Sequence, residues 1–248
     1  MHYKSGWAKN NPIRLTASQL IKKIPTLNTT LAPAIALCLF VAGCSGSRIV
    51  QPLNKGQWQT AVAGGGPIVD GDDGALPLAL SSASVAYGFS QQTTGYVGMG
   101  LTSSIHDVYH MDIGFTHELI TPFDYQPGIT LSPALNLFRD KAGLDTTYYP
   151  QLDVNAYWLG AFRQDIFYIG LSNWFELSTT KAHDQKQNQH WIPTVHGGYT
   201  FQWDRWGLNL EMKYIAPTKN NENKLIDYVG IENQGVIATY LSISRKFR

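Results

Sequence analysis

Residues 108–119 read VYHMDIGFTHEL, and in this stretch apolar and polar side chains alternate almost one by one. One parity holds Tyr109, Met111, Ile113, Phe115 and Leu119, and the other holds Val108, His110, Asp112, Gly114, Thr116 and Glu118. Successive side chains of a β-strand point to opposite faces of a sheet. The stretch therefore predicts a strand with one apolar face and one polar face.

The same alternation recurs from Trp58 to the end of the chain, in segments separated by turn residues. We predict ten strands, at 56–66, 78–89, 94–103, 107–119, 128–138, 147–162, 165–178, 190–203, 206–216 and 235–248. Pro133, Pro150 and Pro193 fall inside these strands, where a missing N–H removes a ladder bond, so bulges or shifted ends are expected there. The pattern predicts an all-β fold, an antiparallel up-and-down transmembrane β-barrel of about ten strands.

The lengths of the connections support this barrel and suggest its orientation. If the first strand rises from the periplasm, the periplasmic connections are 90–93, 120–127, 163–164 and 204–205, and most of them are short. The outer connections would be 67–77, 104–106, 139–146, 179–189 and 217–234, which are mostly long and polar. Short inner turns and longer outer loops are typical of outer-membrane barrels. An even strand number then leaves both termini in the periplasm.

Alternation alone does not say which face of the barrel is outside. A soluble lipocalin-like barrel turns its apolar face inward, whereas a membrane barrel turns it toward lipid. Aromatic residues gather near the predicted strand ends, at Trp58, Phe89, Tyr96, Trp158, Phe162, Phe167, Phe201, Trp203, Trp206 and Phe247 on one side and Tyr109, Phe175, Trp191 and Tyr214 on the other. Such belts suit a membrane interface. The outward apolar arrangement is favoured, and a soluble lipid-binding lipoprotein is the alternative.

The first 43 residues have the features of a secretion signal. They carry five basic residues and no acidic one, and an apolar run follows that is shorter than the ~20 residues of a membrane-spanning helix. The sequence Val41-Ala42-Gly43-Cys44 resembles the lipobox of bacterial lipoproteins. The resemblance implies a signal peptide at 1–43, covalent lipid on Cys44, a periplasmic tether at 44–55 and a barrel at 56–248.

Composition excludes several classes of function. Without residues 1–43 the chain has 14 basic and 18 acidic residues, a net charge of −4, and no basic patch for nucleic acid. Cys38 would leave with the leader, so no disulfide framework or cysteine nucleophile is expected. Residues 64–66 are all glycine but precede a proline rather than a helix, so they are not a phosphate-binding loop. We predict no cofactor.

Metal binding is not expected either. His106 and His110 would lie ~13 Å apart along one strand, too far to share one ion. Asp70, Asp72 and Asp73 lack the remaining oxygen ligands of a calcium loop and suit a solvated turn instead.

The final strand resembles the C-terminal strand of bacterial outer-membrane proteins, with Ile237, Leu241, Ile243 and Phe247 on one face. The stretches 87–89, 96–101 and 209–214 resemble uncharacterised outer-membrane β-barrel lipoproteins of bacteria. The resemblance implies residence in the outer membrane, contact with its lipid and assembly by the barrel assembly machinery. It implies no activity and no oligomeric state.

Polar residues of the inward face are the candidate functional groups. They are His110, Asp112, Asp153, Glu176, His196, Glu211 and Lys213. A ten-stranded barrel is narrow, and charges inside it need partners, so a structural network of ion pairs and hydrogen bonds is the first interpretation. Catalysis by His110 and Asp112 is the alternative, because an imidazole beside a carboxylate can activate water for hydrolysis of a lipid or peptide.

The sequence lacks the motifs of the omptin proteases and of the lipid A deacylases, two families of barrel enzymes. We therefore expect no enzyme, and a structural role, a binding role or a narrow pore for small solutes.

Overall fold

The computed structural model describes residues 49–70, 74–105, 108–140, 146–160, 165–177, 190–221 and 227–248. The predicted signal peptide and Cys44 lie outside these residues. The strands are β1 (Trp58–Val69), β2 (Leu76–Pro77), β3 (Leu80–Gly88), β4 (Thr93–Gly100), β5 (Val108–Ile120), β6 (Gly128–Asp140), β7 (Thr146–Leu159), β8 (Ile166–Phe175), β9 (Trp191–Trp203), β10 (Trp206–Asn220) and β11 (Gln234–Phe247). Helix α1 (Leu101–Ile105) follows β4.

Sequential antiparallel pairing runs from β3 to β11, and β1 pairs with both β3 and β11. The closing ladder extends from Trp58 opposite Phe247 to Pro67 opposite Ala238. The two-residue β2 pairs only with the end of β1. The predicted fold class is confirmed, since ten strands, β1 and β3–β11, form a closed antiparallel barrel. We call the end with Trp58 and Phe247 the terminal rim and the opposite end the distal rim.

The clearest error in the predicted strands is at the end of β4. The predicted segment 94–103 stops being a strand at Gly100, because the next five residues form α1. Thr102 Oγ1 accepts a hydrogen bond of 2.8 Å from the Ser81 N–H, and Ser104 Oγ donates one of 2.8 Å to Gly100 O. These bonds fold the chain back over β3 at the distal rim. No helix among the described ranges is long and apolar enough to cross a membrane.

All three prolines remain inside strands, at places where a ladder is interrupted. The β5–β6 ladder skips the residue pairs around Pro133, and the β7–β8 ladder begins one residue after Pro150. Pro193 lies one residue beyond the last β9–β10 pair, opposite the part of β10 where Ala216 has a φ of 49°. A residue without an N–H is tolerated where no ladder bond is required of it.

The barrel is polar inside and apolar outside. Outward residues at mid-strand are about half exposed, among them Val62 (44%), Val97 (46%), Ile113 (53%), Ile169 (49%) and Leu210 (50%). Inward Thr116, Thr130, Ser132 and Asn136 are each 0% exposed. This is the reverse of a lipocalin-like interior and the arrangement of a barrel whose outer face contacts lipid.

Three tyrosines fill the interior by lying over glycines of neighbouring strands. Tyr96, which we had placed in an outer aromatic belt, instead points inward and is 7% exposed. A Cβ on Gly114 would lie 2.6 Å from its hydroxyl. Tyr157 and Tyr168, at 0% and 1% exposure, lie in the same way over Gly128 and Gly198. Each missing side chain makes room for a ring against the barrel wall. Phe162, another predicted belt residue, lies outside the described residues.

Candidate functional site: the barrel lumen

All seven predicted lumen residues lie on the inner side of the wall. His110, Asp153, Glu176, His196 and Glu211 are buried, and the remaining two, Asp112 and Lys213, are partly buried. They do not converge on one site: His110 and Asp153 belong to one group of hydrogen-bonded side chains, and Glu211 and Lys213 belong to a second, beside which His196 lies.

The first group crosses four neighbouring strands. His110 Nε2 lies 3.4 Å from Asn136 Oδ1, and Asn136 Nδ2 donates to Gln151 Oε1 at 3.0 Å. Gln151 Nε2 donates to Asp153 Oδ1 at 2.7 Å and to Ser172 Oγ at 2.8 Å. A continuous chain of bonds thus links β5, β6, β7 and β8 and holds each side chain in one orientation. The uncharged members Asn136, Gln151 and Ser172 were not among the sequence candidates, although alternation places them on the inward face.

The second group contains the ion pair that the sequence suggested. Lys213 Nζ lies 3.1 Å from Glu211 Oε1, and the Tyr168 hydroxyl donates to Glu211 Oε2 at 2.7 Å. Nearby, His196 Nε2 lies 2.7 Å from Asn155 Oδ1. A carboxylate buried in a narrow lumen is stable only with such partners.

The candidate catalytic residues His110 and Asp112 lie beside two glycines of β4, Gly100 and Gly98 respectively. The His110 ring stacks on Phe138 of β6, with centroids 4.2 Å apart and planes 3° from parallel. Asp112 lies over Gly98 of β4, where an added Cβ would come 3.0 Å from the Asp112 Cγ. His110 is only 2% exposed, so a substrate could not reach its ring in this conformation.

Among the described side chains, no group of three His, Cys, Asp or Glu residues is arranged to bind a metal ion. His106, Asp72 and Asp73 lie outside the described residues.

One feature of the lumen was missed at the sequence level. Residues 49–55, which we had assigned to the tether, fold into the terminal end of the barrel, and we call them the lumen plug. Val50 is 8% exposed and packs with Tyr157, Ile166 and Tyr168. Leu53 is 3% exposed and belongs to a second cluster, with Ala86 and Tyr96. Apolar residues in an otherwise polar linker were the available signal.

Hydrogen bonds from wall side chains hold the plug. The Leu53 N–H donates to Thr94 Oγ1 at 2.7 Å, and Thr116 Oγ1 donates to Ile49 O at 2.8 Å. Beyond the plug, Gly56 N donates to Gly88 O at 2.8 Å, and Gly88 N donates to Gln57 O at 2.9 Å. These last two bonds join the chain to the wall just before β1 begins.

A cavity of about 70 Å³ lies between the plug and the wall, and we call it the terminal chamber. Eight of the ten residues that line its wall are polar by type, and the ten are Gln59, Ala61, Ser84, Ile166, Thr200, Gln202, Asn209, Ser242, Ser244 and Lys246. Lys246 Nζ donates to Gln202 Oε1 at 2.8 Å. The volume is enough for a few water molecules.

A larger groove of about 640 Å³ lies on the outer surface, around Pro133 and next to Trp58, Val97 and Phe115. Its lining is almost wholly apolar and belongs to the lipid-facing side of the barrel. It suits lipid chains and not a polar solute.

Comparisons with known proteins add little to this geometry. No protein-family model and no curated protein matches the sequence. Among solved structures, the chain is similar to the translocator domain of the autotransporter NalP from Neisseria meningitidis, with 8% identity, 88% of this chain and 94% of that chain covered, and a TM-score of 0.40.

Two further structures are more distant in shape. The outer membrane protein OprG from Pseudomonas aeruginosa has 10% identity, coverage of 81% and 100%, and a TM-score of 0.30. Ail, the attachment invasion locus protein of Yersinia pestis, has 7% identity, coverage of 78% and 99%, and a TM-score of 0.27. Such low scores carry no argument, and the fold assignment rests on the strand pairing and the polar interior.

Proposed function

We propose that the chain is an outer-membrane β-barrel lipoprotein, anchored through lipid on Cys44, with a structural or binding role. The observation that carries the proposal is the inverted distribution of polarity. Apolar side chains cover the outer wall, and hydrogen-bonded polar side chains fill the lumen. A closed barrel satisfies all its backbone groups within the wall, which the hydrocarbon core of a membrane requires.

The connections support an orientation with both termini in the periplasm. At the terminal rim they are 89–92, 121–127, 160–165 and 204–205, and at the distal rim they are 70–79, 101–107, 141–145, 176–190 and 221–233. Longer connections on one side are typical of the extracellular face. The terminal rim then lies beside the lipid anchor, and the partners are membrane lipid and, during biogenesis, the barrel assembly machinery.

Burial in the lumen favours a structural or binding role over an open pore and over hydrolysis. An open pore needs a water path, whereas Thr130, Ser132 and Asn136 have no exposed surface at all. Hydrolysis by His110 needs access to its ring, which is stacked and buried. The geometry supports a barrel whose lumen is closed at rest.

The proposal is tested on protein purified from outer membranes. Mass spectrometry of the N-terminal peptide should show a lipid adduct on Cys44 that disappears in Cys44→Ala and persists in the matched control Cys38→Ala. The folded protein should migrate differently on a gel before and after boiling, and it should give no conductance steps in planar bilayers. A detergent-free soluble monomer would refute the membrane assignment, and steady single-channel conductance would refute the closed lumen.

A further inference from the structure

We propose that the lumen plug is a displaceable gate, and that its withdrawal opens the terminal chamber to small polar solutes, preferentially anions. The proposal deepens the proposed function and rests on its membrane topology. Three features carry it, namely how the plug is attached, where it can pivot and what lies behind it.

The plug is held differently from every strand of the wall. Within the described part of the chain, residues 49–55 take part in no strand pairing, and their bonds to the wall come from the hydroxyls of Thr94 and Thr116. Two bonds of this kind and three apolar side chains, Ile49, Val50 and Leu53, hold seven residues. Segments with so few backbone bonds open far more readily than ladder-paired strands.

A pivot lies at the end of the plug. Gly56 has a φ of 81°, and no atom lies within 4 Å of the place where its Cβ would be. The bond that Gly88 N donates to Gln57 O keeps the following residue in place. Rotation about Gly56, which glycine tolerates readily, would break two backbone bonds, from Gly56 N to Gly88 O and from Gln57 N to Asn54 O. It would move residues 49–55 while leaving the register of β1 unchanged.

The wall behind the plug suits a solute better than it suits the plug. The plug contributes three apolar residues and one amide to the lining, Ile49, Val50, Leu53 and Gln51, whereas the wall offers mainly amides and hydroxyls. Val50 and Leu53 pack on aromatic and apolar side chains, so the polar groups of the wall face the chamber, where water or a polar solute can hydrogen-bond to them.

Lys246 determines which charge the chamber prefers in a solute. Its ammonium group donates to Gln202, and no carboxylate of the described residues lies within ion-pair distance of it. Asp165, which accepts from the Gln202 N–H and the Tyr199 hydroxyl, does not line the chamber. Lys246 is the one charged residue in the lining that the described residues form, so the chamber attracts anions.

The test measures access to the chamber in the full-length protein in detergent. Ser84→Cys places a thiol in the chamber wall, and its modification by impermeant thiosulfonate reagents is followed by mass spectrometry of the peptide that contains residue 84. Added Val50→Ser and Leu53→Ser changes weaken the plug and should accelerate labelling by about tenfold or more. An anionic reagent should react faster than a cationic one of equal size, and Lys246→Gln should remove that preference.

Ser172→Cys is the matched control, because Ser172 lies in the first hydrogen-bonded group and should stay protected in every background. Unchanged labelling of Ser84→Cys in a weakened-plug protein that still shows the heat-dependent gel shift would overturn the gate. Equal labelling rates for the anionic and cationic reagents, or a preference that is unchanged by Lys246→Gln, would overturn the anion assignment. Neither result would affect lipidation or membrane insertion.

If the substitutions in the plug prevent folding, the gate is tested by a measurement on the wild-type protein. Hydrogen exchange at residues 49–55 should be about a hundredfold faster than in β1, and equal protection of the two would refute the gate.

Discussion

Replacing Gly198 with alanine should strongly destabilise the barrel, because the Tyr168 ring occupies the space over that glycine. A Cβ at position 198 would come 2.6 Å from Tyr168 Cζ and 2.6 Å from the backbone oxygen of Leu210. The ring would have to move, and its hydroxyl would leave Glu211, to which it donates at 2.7 Å.

The magnitude follows from two effects. Overpacking a close-packed interior costs about 1–3 kcal/mol. Losing a buried hydrogen bond to a charged group costs about 1.5–3 kcal/mol more. The free energy of unfolding should therefore fall by about 3–5 kcal/mol.

The assay is urea unfolding of the refolded protein in detergent, followed by tryptophan fluorescence and the gel shift. Gly197→Ala is the matched control, since its Cβ would meet only the backbone oxygen of Tyr168, at 3.3 Å, and it should cost less than about 1 kcal/mol. In a Tyr168→Phe background the cost of Gly198→Ala should be smaller, because no hydroxyl remains to be displaced from Glu211. Equal losses at positions 197 and 198, or full additivity with Tyr168→Phe, would refute the reasoning.

Three further predictions concern the outer wall, the ion pair and the plug. Ile113→Arg, on the lipid-facing side at mid-strand, should cost about 2–4 kcal/mol in a bilayer, and a loss below 1 kcal/mol in refolding titrations into vesicles would contradict the outward orientation. Glu211→Gln, which leaves Lys213 in the lumen without its ion-pair partner, should cost about 3–5 kcal/mol in denaturant unfolding. Adding Lys213→Met to Glu211→Gln should restore much of that loss, and a double variant as unstable as the single one would argue against the pair. Leu53→Ala should shift the plug equilibrium by about 2–5 kcal/mol toward the open state, seen as faster hydrogen exchange at 49–55, while the denaturation midpoint of the barrel stays unchanged.

Much of the wall could be predicted because a strand's two faces are a local property. The alternation in residues 108–119 predicted β5 almost to its ends and assigned His110 to the lumen and Ile113 to the lipid side. The prolines limited the prediction of strand ends, since a missing N–H destabilises a strand only where a carbonyl of the neighbouring strand would accept a bond from it. Whether Pro133 meets that condition depends on the register of β5 against β6.

The lumen contacts could be predicted only in part. Parity indicated which residues point inward, and the ion pair of Lys213 with Glu211 lies between residues two apart on one strand. The contact of Tyr168 with Glu211 joins β8 to β10 across the intervening β9, and nothing in either local sequence indicates it. The helix α1 was missed for a similar reason, because Ser81 of β3 supplies the group that bonds to Thr102.

By itself, the sequence determined the strands, their two faces and their approximate number, because a period of two residues is imposed by the geometry of each strand alone. Only the tertiary structure decided how the lumen is filled and that residues 49–55 enter it. Those features depend on the stagger with which the sheet closes between β1 and β11. Closure brings residues from distant strands together, such as Val50 beside β1 with Tyr157 of β7 and Tyr168 of β8.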